Sequence, residues 1–206
     1  MTSKTIEKEL KLVIDRDSYY KIIQIANKNQ KLDIINQKNY YFDTLDYKLQ
    51  KSGITLRVRK EKRELFLTLK IKDTSNLNLS FVSSTEFETK LPLVTLQKLT
   101  ETPTQIIKDL PDEGLEVLKS LNIQLSTLKF IGSIFNKRYK LRLMDNYVFE
   151  LDYTELPHNN VSYELEIEGI TTEEQCSNIL NYLSNYQISY SVNTMSKYNR
   201  FIELIK

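Results

Sequence analysis

The sequence predicts an α+β protein in which eight antiparallel strands form a closed β-barrel and helices pack against its outside. Eight segments alternate with the period of β-strands, the segments between them space apolar residues as helices do, and 206 residues are enough for one barrel domain. We therefore expect a single domain over residues 1–206. It includes a helical insertion at about 93–121 and C-terminal helices at about 171–205.

The composition excludes several classes of function. Lys and Arg total 29 against 27 Asp and Glu, so the formal net charge of +2 gives no global field that would attract nucleic acid or a membrane surface. Cys176 is the only cysteine, which excludes an internal disulfide and a cysteine-based metal cage. The N-terminus lacks the apolar core of a signal peptide, and no apolar run approaches the roughly 20 residues of a membrane span. We expect a cytoplasmic protein.

Eight segments have the two-residue alternation that is typical of β-strands. In the first of them, apolar residues alternate with the charged side chains of Glu7, Glu9 and Lys11. Short polar turns separate most of the later segments, as expected for antiparallel strands. The predicted strands cover residues 6–13, 37–43, 53–60, 64–72, 84–91, 131–143, 147–153 and 161–168.

Helical spacing of apolar residues appears between and after these strands. A first helix is predicted after a capping aspartate, Asp15 or Asp17. Residues 94–121 form short helices broken by two prolines, and two further helices are predicted at about 171–186 and 192–205. The Ser- and Asn-rich segment 73–84 is predicted to be a loop.

The charged face of the strands is segregated by sign. Glu164, Glu166 and Glu168 share one face of one strand, and three basic residues share a face at 138–142. The ordinary explanation for polar alternation is a sheet with one solvated face. Like charges placed side by side repel each other, however, and seven of the eight predicted strands carry charges on one face opposite an apolar row. This pattern favours a charged interior with bound counter-ions.

If helices cover the apolar faces, the charged faces line the inside of the barrel. Buried unpaired ions cost several kcal/mol each, so these side chains must be hydrated, paired or neutralised by a ligand. Carboxylate oxygens suit Mg²⁺ or Mn²⁺, and Lys and Arg suit phosphate oxygens. The interior is therefore predicted to bind a polyanion together with a divalent cation.

Several segments resemble one known family. These are Glu7-x-Glu9-x-Lys11, the segment 41–44 with its following Arg-x-Arg pair, the Lys-x-Lys pair at 70–72, the acidic strand ending at Glu168, and Ser-Lys-Tyr-Asn-Arg at 196–200. In order and spacing they are similar to the CYTH superfamily, the triphosphate tunnel metalloenzymes. The resemblance implies an eight-stranded tunnel, a divalent metal requirement, and hydrolysis of inorganic triphosphate or of a nucleoside or thiamine triphosphate.

The resemblance also implies roles for individual residues. The metal ligands it implies are Glu7, Glu9, Asp152, Glu164, Glu166 and Glu168. The substrate-binding bases it implies are Lys11, Arg57, Arg59, Lys70, Lys72, Arg138, Lys140, Arg142 and Lys197. The predicted catalytic residues are Glu7, Glu9, Lys11 and Asp152, of which Asp152 is also a candidate for orienting the attacking water. Glu150 could balance nearby bases, and a purely structural role is the alternative for Asp152, Glu150 and Lys197.

The function predicted from the sequence is therefore a metal-dependent triphosphatase that acts inside a charged tunnel on a small triphosphate. Two alternatives remain at this stage. One is a class IV adenylyl cyclase, which uses the ribose 3′-hydroxyl as nucleophile in place of water, and the other is a binding module without turnover. Residues at the tunnel mouth select the organic part of the substrate. The loop at 73–84 and the insertion at 94–121 are the candidates.

Overall fold

The computed structural model describes residues 2–28, 31–73, 80–144, 147–193 and 195–206. Its strands are β1 (Thr2–Ile14), β2 (Asp33–Thr44), β3 (Ile54–Glu61), β4 (Glu64–Lys72), β5 (Phe81–Leu91), β6 (Leu128–Leu141), β7 (Phe149–Glu155), β8 (Val161–Glu168) and β9 (Tyr190–Val192). Its α-helices are α1 (Arg16–Asn27), α2 (Lys48–Lys51), α3 (Thr95–Glu101), α4 (Asp112–Ser120), α5 (Glu173–Asn185) and α6 (Lys197–Ile205). Short 3₁₀ turns cover Pro103–Asp109, Leu125–Thr127 and Pro157–Asn159.

Strands β1 to β8 form a closed antiparallel barrel in the order β5, β4, β3, β2, β6, β7, β8, β1. The long first strand closes it, because residues 2–10 of β1 pair with β5 and residues 9–14 pair with β8. The predicted fold class is therefore confirmed. The short β9 pairs with residues 12–14 of β1, beyond the point where the pairing with β5 ends.

Two apolar layers lie outside the barrel. On one side α1 and α5 place Tyr19, Ile22, Ile179 and Leu183 against the outward residues of β1, β7 and β8. On the other side the segment between β5 and β6 covers the outward residues of β3 and β4. These layers bury the apolar side chains on one face of each strand. The polar side chains on the other face therefore point to the inside of the barrel.

Several element bounds differ from the prediction. Strand β5 begins at Phe81 instead of residue 84, because Phe81 still pairs with Leu10 of β1. The last helix begins at Lys197 instead of about residue 192, because residues 190–192 form β9. Strand β7 was predicted at residues 147–153 and lies two residues later in the chain, at Phe149–Glu155. The centre of the predicted loop, residues 74–79, and the predicted turn at 145–146 lie outside the described residues.

Helix α6 packs across β2 and β6 next to the open interior. Tyr198, Phe201 and Ile202 form a third apolar cluster with Tyr41 and Ile134. The hydroxyl of Tyr198 donates to the buried carboxylate of Asp43 at 2.6 Å. That carboxylate also accepts from the backbone amides of residues 44, 49 and 50, so it ties the end of β2, α2 and α6 together. In the described part of the chain, no helix is both long and apolar enough to cross a membrane.

Gly132 allows α6 to approach the barrel. It lies at an irregularity in the pairing of β2 and β6, with φ of +153°, and a Cβ there would be 2.6 Å from Cζ of Phe201. The Phe201 ring is itself buried and packs 5.6 Å from the ring of Tyr41, measured between centroids. A side chain at position 132 would therefore displace α6.

We expect Gly132→Ala to lower the free energy of unfolding by about 1–3 kcal/mol, the usual cost of overpacking. Urea denaturation measures this loss. Gly169→Ala is the matched control, since Gly169 also has a positive φ, +78°, but a Cβ there has no atom within 4 Å. Equal losses in the two variants would show that backbone strain, and not the contact with Phe201, determines the cost.

Candidate active site

The interior of the barrel holds a cavity of about 310 Å³. The structure brings most of the sequence-predicted site residues to its wall. They are Glu7, Glu9 and Lys11 from β1, Arg57 and Arg59 from β3, Lys70 from β4, Arg138 and Lys140 from β6, Glu166 and Glu168 from β8, and Lys197 from α6.

Four predicted residues do not line this cavity. Asp152 and Glu164 are 0% and 1% exposed and lie behind the wall, where they contact basic side chains that do line it. Lys72 lines a smaller neighbouring cavity. Arg142 is exposed because β6 ends at Leu141. The alternation of apolar and basic residues in the sequence continues beyond that point.

Arg138 is the centre of one group of ion pairs. Its Nη2 lies 2.7 Å from Oδ2 of Asp152 and 2.7 Å from Oε2 of Glu166, and its Nε donates to Oδ1 of Asp152 at 2.8 Å. Its Nη1 donates to Glu150, which lines the cavity as well. Two neighbouring strands, β7 and β8, thus supply the acids that neutralise one guanidinium.

Lys197 shares Asp152 and Glu166 with Arg138 and also pairs with Glu164. Its Nζ lies 2.9 Å from Asp152, 3.1 Å from Glu164 and 2.7 Å from Glu166. Because Ser196 caps α6 through its hydroxyl, Lys197 is the first residue of the helix and enters the barrel from its end. Arg200, one turn later, pairs with Glu164 and donates to Ser162 at 2.8 Å.

A second group of ion pairs lies on β1 and β4. Lys70 donates to Glu7 at 2.6 Å and to Glu9 at 3.0 Å. Lys11 lies 3.0 Å from Glu9 and 3.3 Å from Glu166, and so connects this group to the first. The Glu-x-Glu-x-Lys motif therefore contributes acids and a base to one continuous network.

The two arginines of β3 have partners that the sequence analysis did not include in the site. Arg57 lies 3.8 Å from Glu86, and Arg59 lies 2.8 Å from Glu88 and 3.1 Å from Glu61. The buried Nε of Arg57 makes no hydrogen bond with the described residues, whereas the Nε of Arg59 is the atom that faces Glu61. The Arg57 donor remains available to an acceptor inside the cavity.

Strand β2 contributes neutral polar groups that the sequence reasoning missed. Gln37, Asn39 and Tyr41 line the cavity, and their shared parity is the one signal that was present in the sequence. Asn136 of β6 donates to Gln37 at 2.9 Å and to Asp152 at 3.1 Å. This amide chain fixes the position of Asp152.

The ion pairs keep the buried acids charged. Burial by itself would raise the pKa of Glu166, but Lys11, Lys197 and Arg138 outweigh it and hold the pKa well below the usual value. The pKa of Asp152 is lowered against burial by Arg138 and Lys197. The pKa of Glu9 is lowered in the same way by Lys11 and Lys70.

Glu168 has the opposite environment. Desolvation, together with the negative charges of Glu150 and Glu7, raises the pKa of its carboxyl to about 7. It is the last residue of β8 and lines the cavity. A cation bound beside this carboxyl would favour its charged form and so lower its pKa.

The residues present fit a divalent cation in chemistry. The acids around the cavity offer hard carboxylate oxygens, as Mg²⁺ and Mn²⁺ prefer. Among the described residues, no three acidic, histidine or cysteine side chains already converge as metal ligands. The reason is visible in the ion pairs, which turn the acids toward lysine and arginine.

We expect acid to destabilise the fold through this network. Because Glu166 and Asp152 have lower pKa values when folded than when unfolded, the unfolded chain binds more protons near pH 4, so stability falls as the pH decreases. Urea unfolding from pH 7 to pH 3 measures the slope. Asp152→Asn should reduce the slope of the free energy of unfolding against pH below about pH 5. The control Asp112→Asn should leave the slope unchanged, since Asp112 is exposed. Identical slopes in all three proteins would contradict this assignment.

The comparisons with known proteins agree with this geometry. A family model described as the CYTH domain matches residues 5–202. The protein named "Putative triphosphatase YjbK" of Bacillus subtilis is 25% identical over 98% of this chain and 96% of its own. A solved structure titled "Putative adenylyl cyclase HpAC1 from Hippeastrum reveals a dominant triphophatase activity" has a TM-score of 0.81 at 22% identity over 96% of this chain and 95% of that one.

A second solved structure, from Bacillus halodurans and titled "putative adenylate cyclase", has a TM-score of 0.77 at 26% identity. It covers 96% of this chain and 98% of that one. The resemblance found in the short motifs of the sequence thus extends over nearly all of the chain. This protein belongs to the CYTH domain family.

Proposed function

We propose that this protein is a divalent-metal-dependent phosphohydrolase of inorganic triphosphate or of a small organic triphosphate. The observation that carries the proposal is the cavity inside the closed barrel, in which clustered acids and clustered bases neutralise each other. A polyanion complexed with a cation matches both clusters at once. The name of its Bacillus subtilis relative, a triphosphatase, supports the same reaction.

The bases that bind the phosphates would be the cavity-lining Lys11, Arg57, Arg59, Lys70, Arg138, Lys140 and Lys197. They project from five elements around the cavity, so they surround a linear triphosphate on several sides. The Nε of Arg57, which has no hydrogen-bond partner among the described residues, adds hydrogen-bond capacity. Held in this way, the chain of phosphates is oriented for in-line attack on one phosphorus.

The carboxylates that would hold the cation are those that reach the cavity, namely Glu7, Glu9, Glu166 and Glu168. These carboxylates would hold a divalent cation, whose chemistry there would be Lewis-acid stabilisation of the charge that develops on the phosphate oxygens. Asp152 and Glu164 fix Lys197 in place from behind, and Asp152 fixes Arg138 as well. In this arrangement their role is to position bases.

The remaining step is attack by water, which an acidic residue of the cavity wall orients through a hydrogen bond. No covalent intermediate with the protein is required. His158 plays no part, since it lies in an outer turn and bonds the backbone oxygen of Leu204. Cys176 is 1% exposed and packs among apolar residues of α5 and the barrel.

A class IV adenylyl cyclase activity is the second candidate, because the relative from Bacillus halodurans is titled an adenylate cyclase. The two reactions share the phosphate site and differ in the nucleophile. The decisive experiment incubates the purified protein and Mg²⁺ or Mn²⁺ with inorganic triphosphate, ATP or thiamine triphosphate. We expect phosphate release; cyclic AMP would identify the cyclase, and binding without either product would identify a binding module.

We expect Glu9→Ala to reduce kcat/KM for triphosphate by at least about 100-fold. It removes a proposed metal ligand and the partner of both Lys70 and Lys11. Glu116→Ala is the matched control, since Glu116 is exposed and pairs with Lys119 on the same helix, α4. Thermal unfolding of each variant checks that the fold is retained. Near-normal activity of the folded Glu9 variant would contradict the metal assignment.

A further inference from the structure

The position of the Lys197 charge inside the barrel depends on how helix α6 is held. Its ammonium lies within 3.1 Å of Asp152, Glu164 and Glu166. A lysine side chain is a flexible four-carbon stem, so its charge stays at one point only if the backbone that carries it is fixed. The support of α6 therefore decides where this charge lies.

One support of α6 is the buried carboxylate of Asp43 in β2, which is 0% exposed. Its Oδ1 accepts from the backbone amides of Thr44 at 2.7 Å and Leu49 at 2.9 Å. Its Oδ2 accepts from the backbone amide of Gln50 at 3.0 Å. These three amides belong to the last residue of β2 and to α2, so they fix the carboxylate without any contribution from α6.

Tyr198 attaches α6 to this fixed acceptor. Its hydroxyl donates to Oδ2 of Asp43 at 2.6 Å, and the residue is 1% exposed. Burial and the negative charge of Asp43 raise the pKa of Tyr198, so the hydroxyl keeps its proton and remains a donor. Hydrogen bonds to an ionised acceptor are roughly twice as strong as those between neutral groups. The first turn of α6 is therefore tied firmly to β2 and α2.

Tyr198 directly follows Lys197 in the first turn of α6, and both residues line the main cavity. Successive side chains of an α-helix point about 100° apart, so the direction of Tyr198 also sets the direction of Lys197. The ring of Tyr41 packs 4.8 Å from the ring of Tyr198, but apolar contacts of this kind have no preferred direction. The hydrogen bond does have one, and so it sets the rotation of α6.

Arg200 is another anchor of α6, but it belongs to the charged network. It pairs with Glu164, which also pairs with Lys197. Ligands that take over charges of the network would change this anchor as well. The bond between Tyr198 and Asp43 has its partners in backbone amides outside the network, so it keeps α6 in place while those charges are redistributed.

We propose that Tyr198 and Asp43 are a positioning pair for the reaction of the main cavity. Their hydrogen bond sets the rotation of α6 and thereby holds Lys197 where it binds phosphate. The proposal rests on the proposed function, under which Lys197 is one of the phosphate-binding bases. Misplacement of such a group by about 1 Å can lower a rate about 100-fold, so this bond affects turnover as well as stability.

A double-mutant cycle tests whether Tyr198 acts through Lys197. It compares kcat/KM for inorganic triphosphate among wild type, Tyr198→Phe, Lys197→Met and the double variant. We expect Tyr198→Phe to lower kcat/KM about tenfold when Lys197 is present and by less than about twofold when it is replaced. The matched control is Tyr190→Phe, which removes a hydroxyl that contacts Ser184 outside the barrel and should leave kcat/KM unchanged.

Nuclear magnetic resonance of protein with ¹⁵N-labelled lysine observes the ammonium without substrate. The Lys197 signal is the one that is missing from the spectrum of Lys197→Met. We expect this signal to shift or broaden in Tyr198→Phe and to stay unchanged in Tyr190→Phe, because only the first variant releases the first turn of α6. A role of the hydroxyl in stability alone would leave the signal where it is in the folded protein.

Two results would overturn the proposal: equal losses of kcat/KM with and without Lys197, or an unchanged Lys197 signal in folded Tyr198→Phe. This variant keeps the ring of Tyr198 and the three amide bonds of Asp43, and thermal unfolding checks its fold. If it does not fold, Asp43→Asn, which replaces the charged acceptor by a neutral one, is measured in the same two ways. If neither variant folds, the pair serves stability alone and the proposal is overturned.

Failure of the proposed function gives a different pattern. In that case the wild type releases no phosphate, and the cycle has no activity to compare. The Lys197 signal still reports on the pair: a signal that moves in Tyr198→Phe supports the positioning of Lys197, and a signal that does not move overturns it.

Discussion

The structure depends on the mutual neutralisation of ions inside the barrel. Arg138, Lys197, Lys11 and Lys70 connect acids from β1, β7 and β8 into one network with separations of about 3 Å. An isolated ion at such depth would cost several kcal/mol, and removal of one partner would expose that cost. The pKa values of Glu166 and Asp152 stay low for this reason. The interior can therefore remain charged and still be compatible with folding.

Without a ligand, the acids and bases of this network neutralise each other, as a bound polyanion and cation would neutralise them. Under the proposed function, phosphate oxygens take over lysines and arginines, and the cation takes over the carboxylates that those bases release. Each ligand bound alone would leave buried charges without a partner, whereas both together leave none. The two binding events are therefore thermodynamically linked, and each raises the affinity for the other.

Helix α6 completes the site, and the packing that holds it lies outside the charged network. Gly132 gives Phe201 room against β6, and Asp43 fixes Tyr198, so the helix enters the barrel at a defined height. Lys197 is thereby positioned among three carboxylates from two strands. A change in this apolar and hydrogen-bonded support would alter the site without touching a charged residue.

The sequence by itself determined the strands, the fold class and the inward direction of the charged side chains. Alternate side chains of a strand point to opposite faces, and in a closed barrel these faces become the inside and the outside. The sequence did not determine which acids reach the cavity. Asp152 and Glu164 share the parity of Glu166 but are covered by Arg138, Lys197 and Arg200, and Arg142 lies beyond the end of β6. Those outcomes depend on where strands end and on which side chains meet across the barrel, distances that only the tertiary structure decides.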